Sequence, residues 1–77
     1  VEYKPINLST LEELASKKEL TVINVETLVA AGFISGNDRV KILGNGSVTK
    51  ALNVTAHAFS QSAEAAIVAA GGSVEKL

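Results

Sequence analysis

Cysteine, methionine and tryptophan are all missing from this chain. Without Cys there can be no disulfide, no thiolate metal site and no Cys nucleophile. An intracellular protein is the simpler expectation for such a composition. His57 is the only imidazole, and the acid nearest to it in sequence, Glu64, is seven positions away. A triad of nucleophile, base and orienting group has too few parts to draw on. One His without Cys cannot build a usual zinc site either. The inventory therefore argues against an enzyme and gives no sign of a cofactor or a small-molecule substrate. No apolar run approaches the ~20 residues needed to cross a bilayer, so no membrane partner is expected. The opening Val1-Glu2-Tyr3-Lys4-Pro5 has neither the basic nor the apolar region of a signal peptide. With no initiator Met, the chain reads as a fragment whose N-terminal part is missing. A formal charge of −1 offers no bulk attraction for nucleic acid.

What is present is aliphatic. Nearly half of the 77 residues are apolar, while the aromatics are Tyr3, Phe33 and Phe59 alone. A single domain spanning residues 1–77 follows from the length. Its thin core must come from Leu, Ile, Val and Ala. Residues 1–8, with Pro5, suggest a short edge strand. Ser9 with Glu12 and Thr10 with Glu13 fit the capping-box spacing for a first helix, whose Leu8, Leu11, Leu14 and Ala15 share a face. Asn24 is a good N-cap for a second helix ending at Gly32, with Leu28, Val29 and Ala31 as its buried stripe. Val40 to Leu43 reads as a strand, and Asn45-Gly46 as a hairpin turn. Val48, Leu52, Val54 and Ala56 share a parity that predicts a returning strand, broken or bulged near Lys50. Ser60 caps a third helix, lined by Ala63, Ala66, Ile67 and Ala70 and stopped by Gly71-Gly72. A last short strand is expected over residues 74–77. The expectation is a small α/β domain with three helices packed on a short mixed sheet.

Two features could carry chemistry. Gly44-Asn45-Gly46-Ser47 invites a phosphate-loop reading, but a P-loop needs Gly-Lys-Ser or Gly-Lys-Thr opening a helix, and here a strand is expected. A dinucleotide fingerprint would need Gly at position 49, which is Thr. A tight turn is the plainer reading, and its exposed N–H groups could still meet an RNA phosphate. The second feature is charge distribution. Residues 39–63 hold Arg39, Lys41, Lys50 and His57, and all eight acids fall outside that window. Such a window can form a local basic face on a neutral domain, although ordinary solvated cations explain it equally well. His57 lies opposite the apolar parity of its strand, which reads as a half-exposed side chain or as an RNA contact.

The order of residues adds a resemblance. Lys41-Ile42-Leu43-Gly44-Asn45-Gly46 is similar to the opening of a signature of the bacterial large-subunit ribosomal protein fifteen family: Lys, two aliphatics, Gly, any residue, Gly. Val48, Leu52 and Val54 occupy its next aliphatic places. Ala56-His57-Ala58-Phe59-Ser60 is similar to its Ala-His-x-Phe-Ser step from strand to helix, and Ala69-Ala70-Gly71-Gly72 to its end. Asn7-Leu8, Thr27-Leu28, Ala31-Gly32 and Ile34 extend the likeness over nearly the whole chain. The resemblance implies the C-terminal globular half of a cytoplasmic or organellar ribosomal component, without the long basic N-terminal extension of family members. Large-subunit ribosomal RNA and neighbouring ribosomal proteins would be its partners. It directs RNA contact to Arg39, Lys41, Gly44, Asn45, Gly46, Ser47, Lys50 and His57. Thr55, Ala58 and Gln61 stand where family members commonly carry Lys, which implies fewer phosphate contacts. A protein-interaction domain of the same fold with little direct RNA contact is the alternative.

Overall fold

The computed structural model describes residues 3–77, so the first two residues of the expected edge strand lie outside it. In chain order the elements are β1 (Tyr3–Asn7), α1 (Leu8–Lys18), β2 (Val22–Ile23), α2 (Val25–Ala30), β3 (Arg39–Leu43), β4 (Asn53–Ala56), β5 (Ala58–Phe59), α3 (Gln61–Ala69) and β6 (Ser73–Lys76). The α/β class with three helices is as expected. The single mixed sheet is not. The strands form two three-stranded sheets, β1-β3-β5 and β2-β4-β6, and every pairing in both is parallel.

That topology removes the expected hairpin. β3 pairs with β1 and β5, so Asn45-Gly46 opens a long connection between sheets. Residues 44–52 form this connection, and only Asn53–Ala56 of the expected returning strand is β structure. Val48 and Leu52 still face the core, Leu52 completely, because the loop lies over the molecule rather than away from it. Pro5 is on β1, an edge strand where its missing N–H costs no ladder bond.

Helix boundaries follow local chemistry unevenly. α2 begins at Asn24, whose side chain accepts from the Thr27 N–H at 2.8 Å. α3 begins at Ser60, whose Oγ accepts from the Ala63 N–H at 3.2 Å. Both helices close with the Schellman pairing, from Phe33 N–H to Leu28 carbonyl and from Gly72 N–H to Ile67 carbonyl. The capping boxes of α1 do not form. Its N-cap is Asn7, with no side-chain cap bond, and Glu12 reaches elsewhere. On α2 only Leu28 is buried; Val29 is 37% exposed, so the expected stripe is one residue wide. Phe33 stays outside at 46%, while Ile34 turns in.

The core is one cluster of fifteen buried residues, all apolar. α1 contributes Leu8, Leu11, Leu14 and Ala15, the strands Ile6, Ile23, Val40, Ile42, Val54 and Ala56, and α3 Ala63 and Ile67. No polar or charged side chain among the described residues is fully buried. Every functional group is thus left to the surface.

Candidate nucleic-acid interface

On β3 the side chains alternate, so Val40 and Ile42 face the core while Arg39 and Lys41 face outward. Register sets Tyr3 beside Arg39, and both Pro5 and Ala58 beside Lys41. Tyr3 is 43% exposed, which gives this outer face an aromatic edge next to its two cations. Sequence reasoning passed over Tyr3. Its parity with Pro5 on an edge strand was the available signal.

The turn residues lie at the carboxyl end of this sheet, where α1 and α3 both begin. The Ser9 N–H donates to the Asn45 carbonyl at 3.2 Å, and Asn45 Nδ2 donates to Asn7 Oδ1 at 3.3 Å. The Ser60 N–H donates to the Ile42 carbonyl at 2.8 Å, which brings the start of α3 to the end of β3. A Cβ on Gly44 would collide with the Ser62 side chain. One on Gly46 would come within 2.7 Å of Ser9 Cβ, and its φ of +87° favours Gly in any case. Gly44 to Gly46 are therefore pressed against the first turns of two helices. Those turns carry the positive ends of the helix dipoles and leave N–H groups without intrahelical acceptors, which favours a negatively charged group nearby. Asn45, Gly46 and Ser47 are all exposed there. Ser9 and Ser62 belong to the same surroundings; their sequence signal was a small polar residue in the first turn of a helix that directly follows a strand.

Two of the expected residues are placed differently. His57 lies between β4 and β5, the point where the chain leaves one sheet for the other. Its N–H donates to the Val40 carbonyl at 3.1 Å, and its Nδ1 accepts from the Val40 N–H at 3.0 Å. Nδ1 is thereby occupied, and Nε2 alone is left for an outside partner. Lys50 is exposed beside the Glu12 carboxylate of α1. Glu12 Oε2 accepts from both the Thr49 N–H, at 3.0 Å, and the Thr49 hydroxyl. These bonds, with the nearby Lys50 ammonium, hold the Glu12 carboxyl below the usual carboxylate range. Glu12 Oε1 is enclosed without a partner. The basic window thus divides into Arg39 and Lys41 on the open sheet face and Lys50 on a loop next to an acid.

No group of His, Asp and Glu among the described residues is arranged to hold a metal ion. No described helix is long and apolar enough to cross a membrane. What the surface offers is two exposed cations, a neighbouring Tyr and a glycine turn at two helix starts. Such groups meet phosphate and bases at an interface rather than break bonds.

Comparison with known proteins agrees in extent and detail. A large ribosomal subunit protein uL15 from Porphyromonas gingivalis (strain W83) is 65% identical over all 77 residues. The uL15 proteins of Parabacteroides distasonis and Bacteroides thetaiotaomicron are 62% and 57% identical over the same span. In each case the whole chain matches 52% of the relative, so the chain spans about half the length of these curated relatives. Residues 5–75 match the model of the family of ribosomal proteins 50S-L15, 50S-L18e and their 60S counterpart, and the chain belongs to that family.

Proposed function

We propose that this chain is a non-catalytic structural part of the large ribosomal subunit in the cytoplasm, and that it seats against ribosomal RNA and neighbouring ribosomal proteins during assembly. The observation that carries the RNA reading is the glycine turn Gly44–Ser47 held at the starts of α1 and α3, at the end of the strand that bears Arg39 and Lys41. Backbone N–H groups and helix starts position a phosphate, the two cations neutralise others, and Tyr3 offers a stacking surface. Lys50 adds a third cation, reduced in effect by Glu12. His57 acts mainly inside the fold.

Few cations imply modest affinity. With about three phosphates neutralised, the logarithm of the binding constant should fall with the logarithm of salt at a slope of roughly −2 to −3. Titration of this 77-residue chain with large-subunit ribosomal RNA at two salt concentrations measures it. Arg39→Gln and Lys41→Gln should each make the slope about one unit shallower. Binding that ignores both substitutions would reject this face as the RNA contact.

A second reading has its own observation. Val29 and Phe33 are exposed on and just after α2, and they border a groove with Leu14 and Lys18 of α1. An apolar surface of that kind suits contact with a neighbouring protein. It supplements the RNA reading, because the two surfaces share no residue.

A further inference from the structure

The loop from Gly44 to Leu52 contains no regular structure, yet it presents the glycine turn and Lys50 together. Two attachments hold it to α1. At its start, the Asn45 carbonyl takes the Ser9 N–H and the Asn45 side chain meets Asn7. At its far end, the Thr49 N–H and hydroxyl both donate to Glu12 Oε2. Between them Ser47 is exposed and Val48 packs against the core. In sequence, Glu12 has the spacing to cap its own helix through Ser9. The fold diverts it. Its carboxylate spans 37 positions to fix the loop, while the helix start takes its partner from Asn45 instead.

We infer that Glu12 and Thr49 form a clamp that sets the shape of the 44–52 loop, making both positioning residues for the proposed RNA contact. The inference rests on the RNA reading above for its consequence, though not for the clamp itself. Glu12 need not touch RNA, and by charge alone it opposes binding. That opposition makes the idea decidable. Removing a carboxylate from a phosphate-binding surface should tighten binding if charge is all that matters. If the clamp matters, loosening it without changing charge must weaken binding, because the loop then has to be ordered on contact.

Thr49→Val is the charge-neutral variant, since it removes the hydroxyl and keeps the N–H. Glu12→Gln removes the charge but keeps an acceptor oxygen, and Glu12→Ala removes both. Hydrogen exchange at the amides of residues 46–50, read without RNA, should speed up in Thr49→Val and Glu12→Ala and stay closer to the parent in Glu12→Gln. Exchange at Ile42 and Val54 should not change. On the RNA side, Thr49→Val should bind large-subunit ribosomal RNA roughly two- to tenfold more weakly at an unchanged salt slope. Glu12→Gln should match or exceed the parent, and Glu12→Ala should fall below Glu12→Gln. Unchanged loop exchange in Thr49→Val and Glu12→Ala would overturn the clamp. Faster exchange with undiminished RNA affinity would overturn its positioning role. A parent chain that does not bind the RNA at all would overturn the RNA reading, and with it the role assigned to these two residues.

Discussion

At the scale of single residues, His57 carries the most structure for its size. Val40 is wholly buried, and both of its main-chain polar groups are satisfied by one residue, the carbonyl by the His57 N–H and the N–H by Nδ1. A buried donor without a partner costs about 1–3 kcal/mol. His57→Ala should therefore lower unfolding stability by about that amount. His57→Asn, whose Oδ1 can stand near Nδ1, should recover part of the loss. Denaturant midpoints measure both, and an Ala variant as stable as the parent would show that the Nδ1 bond contributes nothing. Sequence parity placed His57 correctly as half-exposed. It could not reveal the Val40 bond, because that contact joins positions 17 apart through a sheet crossing with no local signature. Arg39 and Lys41 were legible for the opposite reason. Strand alternation alone sends them outward, whatever the sheet order.

At the scale of elements, the three helices differ in how openly their boundaries are written. Asn24 and Ser60 act as caps where their spacing predicts, and Gly32 and Gly71 end their helices with φ of +85° and +90°. α1 has no such stop. It ends at Glu19, a non-glycine residue with φ of 54°, while Lys17 and Lys18 in its last turn suit the negative end of the dipole. The strands were harder to read. β2 and β5 have two residues each, too few for alternation to register. The Asn45-Gly46 signal is local, and it was overridden because β3 finds its partners at residues 3–7 and 58–59. On α3, Ala63 is completely buried whereas Ala66 and Ala70 are only half-buried. Overpacking should thus be felt most at Ala63. Ala63→Leu is expected to destabilise by about 1–3 kcal/mol, and Ala66→Leu by less. Thermal midpoints in the reverse order would mean that a different face of α3 meets the sheets.

At the scale of the molecule, the odd-numbered strands make one sheet and the even-numbered strands the other. The chain is laced between the two, crossing from β4 to β5 within a single residue. One sheet spans residues 3 to 59 of the sequence and the other 22 to 76. These spans overlap, so a cut anywhere between Asn7 and Ser73 parts strands that belong together. Neither piece can then keep both sheets whole. The exposed turn at Ser35–Asn37 is a natural place for a protease to nick. A nick there would leave β1 on one piece and its partner β3 on the other, and would divide β2 from β4 in the same way. Because both ladders and the common core span the break, the two pieces should elute together under native conditions and separate only in denaturant. Prompt separation without denaturant would mean that one half holds its shape alone. The lacing thus makes backbone integrity dispensable once folding is complete, while each half remains a template that the other requires.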